Sequence, residues 1–239
     1  IIVVAPLSAS SLARWVHGFG DGLLASVLLA SQVPVIAAPA MNTGMWENPS
    51  VQKNWHELDK QSKIIKLDPS SGLLACDRIG EGKMINPDII QLAIHSALIR
   101  NKTNNFPNRD WHDLKLLVTA GATSELLDPA RQITNKSTGL MGVLIAQAAK
   151  LRGGSVDLIH GNMHIPSSLI EGLNNFEVTD ASEMQACLQD LQSSADAIVM
   201  AAAVSDLRKK GGASSTKLRK ESLLQSLSNN LEIVPDLLS

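Results

Sequence analysis

LKLLVTAGAT (residues 114–123) runs from a leucine-rich, β-branched segment straight into small residues. Consecutive apolar side chains suit a strand buried on both faces. The Ala-Gly-Ala that follows lets the backbone turn sharply where a nucleotide-binding sheet ends. The same signature recurs along the chain. Residues 1–4, 33–38, 64–67, 155–159 and 197–202 read as further short buried strands, and residues 11–29, 87–100, 141–151 and 182–193 read as the helices between them. This alternation predicts an α/β fold, in the form of two tandem Rossmann-like three-layer domains with mainly parallel sheets.

A composition break separates the two. NKTNNFPNRD (residues 101–110) is polar, asparagine-rich and proline-containing, which suits an interdomain linker. The expected boundaries are a first domain over residues 1–100, a linker over 101–111 and a second domain over 112–239. At 239 residues and 44% hydrophobic, the chain can build two real cores and is not a disordered segment. A formal net charge of −2 gives no reason to expect nucleic-acid binding. Two cysteines exclude a disulfide scaffold and a four-cysteine zinc site, and no metal site is assigned. The longest apolar run, residues 23–30, is far short of the roughly 20 residues a membrane span needs. The chain opens on Ile-Ile-Val-Val-Ala-Pro in mid-strand, with no initiator Met and no signal peptide, and is read as a piece of a longer protein. Reduced cysteines and the lack of targeting signals point to the cytoplasm.

Ligands of open α/β sheets bind at the carboxyl ends of the strands, so the strand-exit loops carry the functional reading. Neither G-x-G-x-x-G nor G-x-x-x-x-G-K-[ST] is present. The first exit, APLSASSLA (residues 5–13), offers hydroxyls and backbone N–H groups at a helix start. These suit a phosphate or polar ring edge, and equally plain N-capping by Ser8, Ser10 or Ser11. In the second exit, APAMNTGMWENP (residues 38–49), Asn42 is either a grip for a substrate carboxylate or a turn residue beside packing Met41, Met45 and Trp46. Cys76 lies in the glycine-punctuated stretch SGLLACDRIGEGKM (residues 71–84), where Arg78 and Lys83 favour a lowered thiol pKa. Cys187 reads as a core residue within a helix.

In the second half, DPARQITNKSTGLMG (residues 128–142) leads into a helix. Ser137 or Thr138 caps it, Gly139 allows a ligand close approach, and Lys136 or Arg131 neutralises phosphate, although an ordinary capped loop has the same composition. RKKGGASSTKLRK (residues 208–220) holds six bases and no acid. On spacing alone it reads as a solvated loop in preference to a phosphate handler.

APLSASSLAR, VPVIAAPAMNTGMWENP and GLLACDRIGEGKM, in this order and spacing, strongly resemble the phosphopantothenoylcysteine decarboxylases of the flavin-dependent cysteine decarboxylase group. The resemblance implies an FMN-binding Rossmann-like domain with Pro6, Ser8, Ser10 and Met41 beside the cofactor. It also implies a reaction in which FMN oxidises the cysteinyl thiol of 4′-phosphopantothenoylcysteine to a thioaldehyde, the carboxylate leaves as CO2, and the flavin reduces the resulting enethiolate. Asn42 matches the family's carboxylate-binding asparagine and Cys76 its proton-donating cysteine. The family's catalytic histidine and first glycine-rich FMN loop fall before the stretch matching Ile1, and none of the six histidines lies in that motif.

VTAGATSELLDPARQITNKSTGLMG, ADAIVMAAAVSDLR, TKLRK and VPDLL resemble the phosphopantothenate–cysteine ligase domain. That resemblance implies CTP- and Mg2+-dependent joining of 4′-phosphopantothenate to cysteine through an acyl-cytidylate. Asn135 matches the asparagine associated with that intermediate, and Lys217 a lysine facing the triphosphate. Met200, Ala201, Ala202 and Asp206 match the cytidine-recognition exit. Pro235, Asp236 and Leu237 match a further turn of the site. The sequence departs from the two families at Ser10, Asp77, Ala122, Ser124, Lys136 and Val234. Together the resemblances imply a segment of a bifunctional coenzyme A biosynthesis protein, missing a portion at each end and assembling as a homo-oligomer. A stand-alone flavin decarboxylase and a non-catalytic flavoprotein that binds protein partners are the alternatives. Retention of both Asn42 and Cys76 argues against the second.

Overall fold

The computed structural model describes residues 1–74, 78–102, 110–220 and 230–237. Its contacts divide the chain into two compact units, Ile1–His112 with Leu151–Gly153, and Asp113–Lys150 with Gly154–Ser239.

In the first unit, β1 (Ile2–Leu7), β2 (Val35–Pro39) and β3 (Ile64–Lys66) form a parallel sheet in the order β1-β2-β3. All five residues of β2 are buried, as an uninterrupted apolar run requires of a central strand. Helices α1 (Ala9–Val16), α2 (Leu23–Ala30), α3 (Thr43–Trp46), α4 (Pro49–Glu57) and α5 (Pro87–Lys102) complete it, with an antiparallel hairpin of β4 (Ser70–Leu73) and β5 (Ile79–Lys83). Its core gathers Leu7 and Leu12 with Trp15, Trp46 and Trp55. Trp46 and Trp55 meet edge to face at 5.7 Å, and the Trp55 indole N–H donates to Asp68 at 2.9 Å.

The single helix expected over residues 11–29 is two helices. HGFGDG (residues 17–22) breaks it: Gly18 takes φ +72°, its N–H donates to the Trp15 carbonyl, and the Phe19 N–H donates to the Arg14 carbonyl. This is a Schellman closure, which a glycine in the left-handed region makes cheaply. Helix α5 continues to Lys102, two residues into the expected linker; residues 103–109 lie outside the described residues.

In the second unit, β6 (Lys115–Ala120), β9 (Ser155–His160), β10 (Asn174–Glu177) and β11 (Ala197–Met200) form a parallel sheet in the order β10-β9-β6-β11. Strands β7 (Ser124–Asp128) and β8 (Arg131–Thr134) form one antiparallel hairpin, and β12 (Leu207–Lys209) pairs with β13 (Leu231–Ile233) in a second ribbon. Helix α7 (Ala181–Gln192) buries Met184 and Leu188 against Leu117 and Ile159. The mainly parallel α/β architecture agrees with the sequence reading. The antiparallel pairs and β10 were not expected, because their strands are short and carry glycine or polar residues at both faces.

Helix α6 (Leu140–Leu151) approaches β6 through Gly142, where a Cβ would stand 2.7 Å from both the Ala120 Cβ and the Thr119 carbonyl oxygen. An exposed Gly→Ala change in a helix gains about 1 kcal/mol. Gly142→Ala is therefore expected to act in the opposite sense and destabilise by about 1–3 kcal/mol through overpacking, read from the urea midpoint at unchanged m-value.

Candidate active sites in the two units

The β2 exit delivers Pro39–Asn42 to the edge of the first unit's sheet. Asn42 is the N-cap of α3, its Oδ1 accepting the Gly44 N–H at 2.9 Å. The turn reading of Asn42 thus holds, and it orients the side chain rather than excluding a second role. A carboxylate needs a donor, and Nδ2 is the donor of this amide.

The β4–β5 hairpin lies on this loop through glycines. The Met41 N–H donates to the Gly82 carbonyl at 2.9 Å, and a Cβ on Gly82 would collide with the Met41 carbonyl oxygen. Gly82 also holds φ +121°, a backbone conformation that side-chain-bearing residues rarely adopt. Gly80 rests directly over Thr43, whose hydroxyl oxygen is buried there with no hydrogen-bond partner among the described residues. Between loop and hairpin lies a cleft of about 490 Å³ lined by Met41, Asn42, Leu73, Leu74, Lys83 and Met84. Lys83, which the sequence offered only as a neighbour of the thiol, shares this cleft with Asn42. Cys76 lies outside the described residues; the Leu74 N–H and Arg78 carbonyl that bracket residues 75–77 are bonded at 2.8 Å.

At the β1 exit, Ser8 caps α1, its Oγ accepting the Ser11 N–H at 3.2 Å. Ser10 is exposed in the first turn, and the N–H groups of Ala9 and Ser10 meet no acceptor among the described residues. The Ala5–Pro6 peptide is cis, and Pro6 is exposed. Met41, half-buried, both packs against the core cluster and lines the cleft.

In the second unit, two buried threonines organise the β11 exit. Thr119 Oγ1 accepts the N–H groups of Ala201 and Ala202, each at 3.1 Å. Thr123 Oγ1 accepts the Ser205 N–H at 2.8 Å, and the Thr123 carbonyl accepts the Thr134 hydroxyl at 2.8 Å. Both threonines have no exposed surface. Sequence reading missed their role, since the partners lie some eighty positions away and only the Thr residues in VTAGAT hinted at it. Asn135 joins the same loop by donating from Nδ2 to the Val204 carbonyl at 2.9 Å. The structure therefore brings Asn135 together with the loop running from Met200 to Asp206.

Met200, Ala202 and Leu237 are partly buried and pack on the core cluster with Leu117 and Met184. Asp206 and Asp236 are exposed, and the Asp206 carbonyl accepts the Val234 N–H at 2.9 Å just ahead of the exposed Pro235. The ligand approach expected at Gly139 is taken by Met163, whose Cγ would be 2.7 Å from a Cβ there. The basic run is divided. Arg208 pairs with Glu232 at 2.7 Å and donates to Ser182, and Lys209 donates to the Gly212 carbonyl, so internal partners hold these two bases. Lys217 is exposed, next to Leu218, which is bonded at the Asp128–Arg131 end of the hairpin. Asn135 follows the opposite end of β8, about 13 Å away at roughly 3.3 Å per strand residue.

Burial alone would raise the Asp128 carboxyl, but N–H donation from Ala130 and Leu218 and the Arg131 charge hold it below the usual carboxylate range. Burial pushes the Cys187 thiol up, with Asp190 and Asp157 adding to the effect, which fits its core reading. Among the described residues no group of three or more His, Cys, Asp or Glu is placed to hold a metal ion, and no helix is long and apolar enough to cross a membrane.

Strand-exit loops on two parallel sheets, one closed by a hairpin and the other pinned by threonines, define a mainly parallel α/β protein of the flavoprotein type. The chain belongs to the DNA/pantothenate metabolism flavoprotein family, whose C-terminal domain matches residues 111–239, while residues 1–98 match the Flavoprotein family. It is 35% identical over 208 residues to the coenzyme A biosynthesis bifunctional protein CoaBC of Vibrio cholerae, covering 87% of this chain and 49% of that protein. The Bacillus subtilis CoaBC is 36% identical over 213 residues, covering 88% and 50%. The chain thus spans about half the length of the curated relatives it matches. Among solved structures, a PPC decarboxylase complexed with pantothenoylaminoethenethiol is 36% identical over 39% of this chain and 52% of its own, with a TM-score of 0.38. The C-terminal domain of a CoaBC protein is 28% identical over 54% of this chain and 58% of its own, with a TM-score of 0.43.

The glycine contact between hairpin and loop carries a direct test. Gly82→Ala is expected to part the two, speeding hydrogen exchange at the Met41 amide about tenfold, which corresponds to about 1.4 kcal/mol and lies within the usual cost of such backbone strain. Unchanged Met41 protection would contradict the account.

Proposed function

We propose that the first unit holds part of a flavin-dependent site that decarboxylates 4′-phosphopantothenoylcysteine to 4′-phosphopantetheine. We further propose that the second unit belongs to a CTP-dependent ligase that makes that substrate from 4′-phosphopantothenate and cysteine. The bifunctional coenzyme A biosynthesis proteins that share both matched regions support this reading. The observation that carries it is the seating of the β4–β5 hairpin on the Asn42 loop, which encloses an amide donor and a lysine in one cleft.

In the first unit, Nδ2 of Asn42 donates to the substrate carboxylate, and its capped geometry keeps the amide in place without reorganisation. Leu73, Leu74 and Met84 give the cleft an apolar lining, and Lys83 favours an acidic substrate. FMN, when bound, supplies the reversible two-electron oxidation at the substrate sulfur that allows the carboxylate to leave. The unused N–H groups of Ala9 and Ser10, with the Ser10 hydroxyl, are a donor set suited to its phosphate or ring edge, while the Ser8 hydroxyl is engaged with Ser11. Cys76 donates the proton that quenches the charge left on carbon.

In the second unit, a cytosine is distinguished by its exocyclic amino donor. The Thr119 bonds consume the Ala201 and Ala202 N–H groups, while the carbonyls of both residues accept no hydrogen bond among the described residues. Two backbone acceptors at a strand exit favour cytosine over uracil. Asn135 stands beside them to steady the activated carboxylate. Lys217 meets the phosphates, and Mg2+ accompanies the nucleotide.

Three measurements on the full-length protein test the halves separately. Asn42→Asp sets a carboxylate against the substrate's own and is expected to cut CO2 release at least a hundredfold, with flavin absorbance retained. Cys76→Ser is expected to cut product formation by about 10²–10⁴-fold, the usual contribution of a general acid. A Cys76→Ser protein of normal activity would remove the acid role. For the ligase, pyrophosphate release is expected only with CTP and phosphopantothenate together. Release with ATP at the same rate would overturn the cytidine reading.

A further inference from the structure

Asp128 ends β7 with no exposed surface, although it is charged and lies at the turn of a hairpin. Turn closure accounts for one of its oxygens: Oδ1 accepts the Ala130 N–H at 2.8 Å. The other reaches ninety positions along the chain. Oδ2 accepts the Leu218 N–H at 3.1 Å and the Arg131 Nη1 at 3.3 Å, and the same Nη1 donates to the Leu218 carbonyl at 3.2 Å. Both backbone polar groups of Leu218 are therefore held by one ion pair whose carboxylate is buried and whose guanidinium is partly exposed. A second tie lies upstream, where the Ser214 N–H donates to the Leu127 carbonyl at 2.9 Å. Only residues 215–217 lie between the two ties, and Lys217 adjoins the firmer one. Its ammonium makes no ion pair or hydrogen bond among the described residues, so the backbone is fixed while the charge stays available.

We propose that Asp128 is a positioning residue that, with Arg131, holds Leu218 so that Lys217 is presented from a fixed backbone to the nucleotide phosphates. This rests on the ligase reading of Lys217. A long flexible lysine loses less on binding when its Cα is already placed, because the loop has been ordered beforehand. A carboxylate serving only the β7–β8 turn would not need Oδ2 on a segment ninety residues away. Nor would an arginine serving only that turn need the Leu218 carbonyl.

The test uses the full-length protein. Asp128→Asn breaks the clamp at its centre, and Leu218→Pro removes the loop's N–H and fixes its φ while leaving the Asp128–Arg131 pair and the hairpin in place should the first variant fold poorly. In both, hydrogen exchange at residues 214–219 is expected to rise about tenfold. The KM for CTP is expected to rise about tenfold, with kcat within about threefold and the KM for phosphopantothenate unchanged. Lys217→Ala should raise the CTP KM similarly, and combining it with Asp128→Asn should add little, because both remove the same interaction. Unchanged exchange in both variants overturns the proposal. So does faster exchange with an unaltered CTP KM, or full additivity with Lys217→Ala. If the unaltered protein released no pyrophosphate with CTP, the ligase reading would fall, and the exchange rates would still decide whether Asp128 holds the loop.

Discussion

One buried hydroxyl oxygen, that of Thr119, accepts two consecutive backbone N–H groups from the strand-exit loop after β11. A loop leaving a parallel sheet must satisfy its first N–H groups or bury them at a cost of about 1–3 kcal/mol each. Thr119 meets that requirement from the neighbouring strand, and Thr123 repeats it at Ser205. The consequence is a loop whose donors point inward and whose carbonyls at Ala201 and Ala202 do not. Asn135 then closes the loop from β8. The polarity of the second site follows from these few bonds, which lie outside any regular ladder.

The first unit solves the corresponding problem with missing side chains. Gly80 and Gly82 let the hairpin lie on the Asn42 loop at backbone distance, and the Met41–Gly82 hydrogen bond ties them. In both units, main-chain contacts between segments distant in sequence set the site, and side chains such as Asn42, Lys83 and Lys217 are displayed from that frame.

This explains what was legible in the sequence and what was not. The parallel strands were plain because a strand covered on both faces is mostly apolar, as β2 is throughout and β6 is apart from Lys115 and Thr119. Helix α5 was plain except at its end. The break at residues 17–22 was spelled by three glycines but read through, since the apolar spacing resumes beyond it. The hairpins were hidden because IGEGK and RQIT carry no alternating pattern, their stability coming from what they cover. Asn42 and Asn135 were found as residue types in suggestive loops. The Gly44 partner of Asn42 follows from the turn, but the partner of Asn135 was hidden, for Val204 stands 69 positions away and no local rule connects them. The basic run misled in part, because composition does not reveal that Glu232 and Gly212 occupy two of its charges.

The burial of Cys187 beside Asp157 and Asp190 has a practical side. A thiol is nucleophilic only as thiolate, and partial burial with two acidic neighbours shifts this one towards the protonated form. The chain contains two cysteines. A soft electrophile or maleimide dye offered near neutral pH therefore finds Cys187 a slow target. Covalent probes and spectroscopic reporters could then be directed to another thiol without first engineering this sulfur away.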